Sequence, residues 1–413
     1  MYGITASFHR WLLPKRYGSR RCRNTALRVT LKLVVMHMPE QGTPVHIIGA
    51  GPGGLATAAA LRQRGIRSVV LEKSQSVGAS WRAHYDRLRL HTTRRWSGLP
   101  GLRIPRSYGR WTSRDDLVRY LESYAAYHRV ELATGVEVDR IERAGEEWTL
   151  RANGGRELTS PAVVVATGFN HTARMPDWLG RDSFTGTLLH ASRYRDPEPY
   201  QDKDVLVVGT GNTGAEIAVD LLEGGAARVR LAIRTPPHIV RRATLGWPAQ
   251  ANGVLCRRLP LALTDRLAAG VARLSIPDLT EQGLPRPTTG LFTRAREGAI
   301  PVQDVGLLKA VRDGGVEPVA GVAGFAGGEV KLLDDTAITP DVVIAATGYE
   351  RNLEPLVGHL NVLDSRGRPL VHGPRTHPDA PGLHFTGFTN PISGMLRELS
   401  RDAPRIARAI GRR

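Results

Sequence analysis

Two glycine-rich turns, GAGPGG at 49–54 and GTGNTG at 209–214, constrain the fold of this chain more than any other feature. Each follows a short apolar run and opens an Ala-rich helical stretch. In that context a G-x-G-x-x-G pattern begins a β-α-β unit. In the first unit 45–48 reads as a buried strand, 55–64 as a helix ended by Gly65, and 68–71 as the next strand, closed by Glu72. In the second, 205–208 is the strand, the helix ends at Gly224-Gly225, and the following strand ends at Arg234.

A repeated unit of this kind means two nucleotide sites on an α/β fold with two Rossmann-type dinucleotide-binding domains. PAVVVATGFN (161–170) and PDVVIAATGYE (340–350) echo each other as apolar strands running into Ala-Thr-Gly and an aromatic residue. Each is expected to return the chain from a nucleotide unit. The second domain is therefore inserted into the first. The first domain takes 39–170 and 336–413. The second takes 171–335, with a proline-rich helical insertion at 236–300 that shapes a substrate cavity and carries a helix near 259–274. The run 395–410 reads as an amphipathic helix kinked or broken at Pro404.

Composition narrows the function. A chain of 413 residues can bury two or three cores. Two cysteines, Cys22 and Cys256, make no disulfide framework, and no C-x-x-C exists for thiol redox or zinc; no metal site is expected. A reducing, cytoplasmic setting follows as the default. The net charge of +18 invites a nucleic-acid reading, but residues 1–38 hold eight Lys or Arg and no acid, and the rest is spread without a basic stripe. Nucleic acid is not an expected partner. No run of 18 apolar residues exists, so no membrane span is expected either. Residues 1–38 read as a disordered or non-native extension, with Met36 or Met38 as conventional starts.

The chemistry is carried by the turns. Gly49 allows the tight turn, Gly51 lets backbone approach a pyrophosphate, and Gly54 lets helix and strand pack closely. With Pro52 and Gly53 they set phosphates at a helix N-terminus, where free N–H groups and the dipole favour anions. Glu72 is placed to accept hydrogen bonds from ribose hydroxyls and repels a 2′-phosphate, which suits FAD or NAD. The second site has Gly209, Gly211 and Gly214, but ends its strand in Arg234. A guanidinium there pairs with a 2′-phosphate, which predicts NADPH. Asn212 and Thr213 are expected to cap the helix and contact that nucleotide. Lys73, Ala166, Thr167, Gly168, Thr347 and Gly348 complete the expected cofactor-binding set. Between the turns, 184–194 places Phe184, Gly186, His190 and Tyr194 in an F-x-G-x-x-x-H-x-x-x-Y pattern.

These motifs, with GASWRAHYDRLRLHT (78–92), IPVQDVG (300–306) and ATGYE (346–350), resemble those of class B flavoprotein monooxygenases. The chain is similar to the flavin-containing monooxygenase family, in its YUCCA-type (indole-3-pyruvate) branch and bacterial relatives, across nearly all of 44–413. Tyr194 stands where Baeyer–Villiger enzymes carry Trp. The resemblance implies FAD in the first site and NADPH in the second. It implies that NADPH reduces FAD, that oxygen adds to give a flavin hydroperoxide, and that retained NADP⁺ shields it. It also implies that Ser80 and Trp81 lie against FAD, that Val136 meets the adenine through its backbone, and that His91 replaces an Asn beside the flavin. His91 and His190 are the candidate catalytic residues, His190 more as a domain-linking group near NADP⁺ than as a proton donor.

The expected partners are a small organic substrate and O2; the oligomeric state is not read. The reaction is N- or S-oxygenation or oxidative decarboxylation of a 2-oxo acid. Two other readings stand beside it: a pyridine-nucleotide flavin reductase donating electrons to a protein partner, and a non-catalytic redox-sensing dinucleotide-binding protein.

Overall fold

A computed structural model describes residues 42–412 except 245, 257 and 258. The extension 1–38 lies outside the described residues. Among them two five-stranded parallel sheets dominate. The first runs, in spatial order, Leu383–Phe385, Val163–Val165, Val45–Ile48, Ser68–Glu72 and Glu131–Thr134. The second runs Glu317–Ala320, Arg228–Ile233, Asp204–Val208, Val342–Ala345 and Thr187–His190. In each, the strand before the glycine turn is central. Its neighbours are the strand after the nucleotide helix and the strand that leads into Ala-Thr-Gly. Central parallel strands are covered on both faces, which is why these segments are unbroken apolar runs. Ile47, Val164, Val207 and Ile344 are fully buried.

The fifth strands differ in origin. Leu383–Phe385 comes from the end of the chain, whereas Thr187–His190 comes before the second unit begins. The sequence placed everything from 336 onward in the first domain. Val342–Ala345 instead pairs with Asp204–Val208 in the second sheet, so the chain returns to the first sheet only after it. The physical reason is the echo itself: this strand must sit beside the second turn, as Val163–Val165 sits beside the first.

The two turns are built alike. Gly49 and Gly209 have φ of +106° and +114°, and a Cβ on either would fall 2.6 Å from the carbonyl oxygen of Ala166 or Ala346. The Ala-Thr-Gly segments are thus the walls against which the first glycine of each turn closes. A Cβ at Gly54 or Gly214 would lie 2.0 Å from the carbonyl oxygen of Gly49 or Gly209. At Gly51 and Gly211 a Cβ would meet nothing within 4 Å. The middle glycine of each turn therefore faces open space, the side from which a ligand approaches.

The helix after the first turn, Pro52–Arg62, is buried from Gly53 to Leu61. The C-terminal helix Met395–Ile410 covers it through Leu396, Leu399, Ala403, Ile406, Ala407 and Ile410. A Cβ at Gly53 would sit 3.1 Å from Leu399. This helix runs through Pro404 without a break, so of the kink or break that proline suggested the break is ruled out. Its apolar stripe is packed along its whole length, and that packing outweighs the one lost N–H donor.

Among its described residues the insertion 236–300 contributes three α-helices, Ala249–Leu255, Leu261–Ser275 and Leu291–Arg296. Asp265 fastens the last two: its carboxylate accepts from the Phe292 N–H at 2.6 Å and the Thr293 hydroxyl at 2.6 Å. No helix among the described residues is long and apolar enough to cross a membrane.

Candidate active site

One cavity of about 900 Å3 runs from the first turn to the insertion. Gly49, Gly51, Pro52 and Gly53 border it at the N-terminus of Pro52–Arg62. That terminus has no side-chain cap, which leaves its N–H groups for an anion. Glu72 and Lys73 border it at the end of their strand, Ser80 and Trp81 in the short helix Ala79–Arg82, and Val136 at a turn. Ala166, Thr167 and Gly168 also line it, as do His91, Asn212 and Thr213. Gly54 lies behind the turn, packed on Gly49. Gly209, Gly211, Gly214, Thr347, Gly348, Arg234 and His190 do not border the cavity, so the second turn reaches it only through Asn212 and Thr213.

Local chemistry fits a dinucleotide at the first turn. Glu72 accepts from the Ala50 N–H at 2.7 Å with one oxygen, and from the Ser74 N–H and hydroxyl at 2.9 and 2.8 Å with the other. A carboxylate has about four acceptor positions, so one remains for a ribose hydroxyl. The Thr167 hydroxyl is buried at the cavity wall with no hydrogen-bond partner among the described residues. Lys73 Nζ lies 3.3 Å from His171 Nε2. Burial, and then the Lys73 charge, push the His171 pKa down, which keeps that ring neutral beside the ammonium. Val136 commits its N–H to the Glu72 carbonyl at 3.0 Å, so only its carbonyl and side chain are available to an adenine.

At the second turn the expected caps are corrected. The helix Asn212–Glu223 is capped by Gly211, without a side-chain bond. Asn212 bridges to the insertion instead, donating to the Pro301 carbonyl at 3.2 Å and accepting from the Gln303 N–H at 2.8 Å. The helix terminus is thereby left open to an anion. Arg234 follows the strand Arg228–Ile233 as an exposed side chain with no ion pair to a described residue.

The F-x-G-x-x-x-H-x-x-x-Y run braces the second unit. Phe184 packs edge-on against Phe325 at 5.2 Å. A Cβ at Gly186 would strike the Phe184 ring at 2.6 Å and the Asp341 carbonyl at 2.8 Å. Ser192 donates to His190 Nδ1 at 3.0 Å, so Nε2 carries the proton and donates to the Gly348 carbonyl at 3.0 Å. Both ring nitrogens are committed and burial pushes the His190 pKa down. His190 is placed to hold the Thr347-Gly348 turn, not to exchange a proton in the cavity. Tyr194, fully buried, donates to Asp220 at 2.8 Å and stacks on Tyr200.

His91 is placed differently. Its Nε2 lies 2.7 Å from Glu216 Oε1, and Tyr85 donates to Glu216 Oε2 at 2.9 Å. Burial, and then the Glu216 charge, hold the Tyr85 phenol far above its ordinary range, so it stays a donor. Sequence reasoning passed over Glu216, Asp220 and Tyr85. The available signal was two acids, four residues apart, inside the apolar stretch AEIAVDLL. It also passed over Gln250, which is buried and accepts from Thr93 N–H at 2.9 Å while donating to the Ser393 carbonyl at 2.8 Å.

Comparison with known proteins follows the same lines. Residues 46–244 match the family model of pyridine nucleotide-disulphide oxidoreductases. The chain is 34% identical over 388 residues to the probable indole-3-pyruvate monooxygenase YUCCA1 of Arabidopsis thaliana, covering 92% of this chain and 91% of the relative. It belongs to the flavin-containing monooxygenase family. A mutant flavin monooxygenase from Stenotrophomonas maltophilia shares the fold at a TM-score of 0.69 and 25% identity, covering 89% of this chain and 97% of that one. OTEMO in complex with FAD and NADP also has a TM-score of 0.69, at 19% identity, covering 90% of this chain and 84% of that one. This monooxygenase uses FAD and NADPH to oxygenate a small organic substrate. The reductase and redox-sensor readings give way to it, since the YUCCA1 relative, named as a monooxygenase, matches over 91% of its own length.

Proposed function

We propose that this monooxygenase acts on an apolar, aryl-bearing 2-oxo acid by oxidative decarboxylation. The observation that carries the reading is the roof of the cavity. Within 236–300 the described lining residues include Trp247, Leu267, Val271, Phe292 and Ile300, one cation, Arg241, and no carboxylate. Apolar walls with a single guanidinium favour an anion with a large apolar body over a protonated amine. The Arg241 Nε donates to the Ser275 carbonyl at 2.9 Å, which leaves its other N–H groups for a carboxylate. The YUCCA1 relative is named for indole-3-pyruvate, a molecule of this class.

The expected division of labour follows from position. Pro52–Arg62 and Asn212–Glu223 offer open N-termini to the pyrophosphates of FAD and NADPH, Glu72 holds the FAD ribose, and Arg234 meets the 2′-phosphate. FAD reduced by NADPH supplies the activated oxygen. The insertion excludes water from that region and orients the oxo acid. The reaction balances as oxo acid, O2, NADPH and a proton giving CO2, the carboxylic acid one carbon shorter, NADP⁺ and water.

The test compares indole-3-pyruvate and phenylpyruvate with N,N-dimethylaniline and a thioether, scoring NADPH oxidation against peroxide release. The oxo acids are expected to raise oxidation and lower peroxide together, and Arg241→Ala to raise their KM about tenfold with the NADPH KM unchanged. Tight coupling with the amine or thioether and none with the oxo acids would overturn the reading.

A further inference from the structure

We propose that Glu216 is a positioning residue for oxygenation: it fixes His91 so that Nδ1 faces the cavity as the atom that handles the proton of turnover. The inference rests on the monooxygenase reaction of the family and is independent of the substrate class proposed above.

Glu216 is the fifth residue of the helix Asn212–Glu223 and is 4% exposed. Its helix neighbours Ala215, Ile217, Ala218 and Leu221 are apolar and buried. A carboxylate in such a row adds nothing to packing and is costly to bury unless both oxygens are bonded. Both are: Oε2 accepts from the Tyr85 hydroxyl at 2.9 Å, and Oε1 lies 2.7 Å from His91 Nε2. The donors come from the loop 85–91 of the first unit, while the acid comes from the nucleotide helix of the second. Glu216 also borders a smaller cavity of about 350 Å3, where Arg87, Arg89 and Arg242 face Asp86, Asp220 and Glu223.

The consequence for His91 is a fixed tautomer. Tyr85 cannot turn its hydroxyl away without leaving an oxygen of Glu216 unpaired, so the carboxylate cannot rotate. An ionised carboxylate only accepts, so Nε2 must carry a hydrogen. Nδ1 is left as the other ring nitrogen; it has no hydrogen-bond partner among the described residues, and His91 borders the cavity where the two units meet. Oxygenation consumes one proton for each NADPH. Nδ1 takes that proton from a hydronium delivered by the solvent, forming an N–H bond as an O–H bond of the hydronium breaks and water is left, and releases it to the oxygen atom that leaves as water. Glu216 neutralises the imidazolium between the two transfers, and His91 ends as it began.

The experiment uses the FAD-loaded enzyme with 15N-labelled histidine. In the wild type the His91 signals are expected to show hydrogen on Nε2 and a lone pair on Nδ1. In Glu216→Gln, Tyr85 keeps the amide oxygen and the amide NH2 turns to Nε2, so the hydrogen moves to Nδ1. The share of NADPH lost to peroxide is expected to rise about fivefold, with flavin content unchanged. An unchanged tautomer, or a swapped tautomer with unchanged peroxide release, would overturn the proposal. Should the Gln variant fold poorly, Glu216→Asp carries the test. It keeps a charged acceptor and is expected to retain the wild-type tautomer; a swapped tautomer there would also overturn the proposal.

Discussion

A methyl group added at Gly54 would place carbon 2.0 Å from the Gly49 carbonyl oxygen, and the same change at Gly214 repeats the clash with Gly209. Neither obstacle is a flexible side-chain end, so backbone must shift in both cases. The two substitutions should nevertheless differ in outcome. Gly54→Ala disturbs the first site and is expected to give protein that purifies without yellow colour. Gly214→Ala is expected to keep its flavin and lose reduction by NADPH, as read by anaerobic bleaching. Loss of flavin in both would argue against separate sites. Arg234 invites a second comparison. It is exposed, without an ion pair among the described residues, at the end of the strand where an acid would select NADH. Arg234→Ala is expected to raise the KM for NADPH about tenfold or more and leave that for NADH nearly unchanged. Residues of this kind were legible because turn chemistry and strand-end position are local. Glu216 was not, since its partners Tyr85 and His91 lie 131 and 125 residues away in sequence. The exclusion of His190 from the cavity was equally hidden, because its partner Gly348 is 158 residues distant.

At the scale of elements, the strands and helices of both nucleotide units announce themselves, because each central strand is an apolar run with glycine beside it. What the sequence assigned to the wrong domain was the late strand Val342–Ala345, because its place depends on the Gly209–Ala346 approach rather than on the strand itself. The brace 184–194 shows a similar gap. Its spacing marks a family, but its function in the fold is mechanical. Tyr194→Phe removes the donor to Asp220, whose other oxygen is still held by Arg87 at 3.1 Å. The expected cost is about 1 kcal/mol of stability, measured by denaturant unfolding, with flavin and NADPH binding retained. The roof offers a contrasting case. Asp265 on Leu261–Ser275 is the acceptor that holds the start of Leu291–Arg296. Asp265→Ala frees that helix, so the KM for the oxygenated substrate is expected to rise and peroxide release with it. Flavin content should not change, because the first turn lies at the other end of the cavity.

The whole molecule carries an acid sensitivity spread across its parts. His46 sits in the first central strand, His84 beside the cavity, His128 after a surface helix, and His171 near Lys73. His190 lies against the Thr347-Gly348 turn, His238 in the insertion, and His372 beside Asp402. In every one of them burial is the largest cause of a pKa held below the ordinary imidazole value. The sign follows from linkage. A histidine that resists protonation when folded binds fewer protons than it does unfolded once the pH falls below about 6.5. The unfolded state then gains protons faster, and stability falls as the pH falls. Half-buried carboxylates such as Asp116 and Asp364, held low against the cost of burial by hydrogen bonds and neighbouring arginines, add a similar loss only at about pH 4 and below. Asp220 and Asp402, pushed up by burial, oppose the trend nearer the carboxylate range. The histidines therefore own the window between about pH 7 and pH 5. The Tm of the flavin-loaded enzyme is expected to be level above about pH 7.5 and to drop steadily through that window, with flavin fluorescence released in the same transition. A Tm that stays level to pH of about 5 would mean that these rings are hydrated and titrate as they do in the unfolded chain.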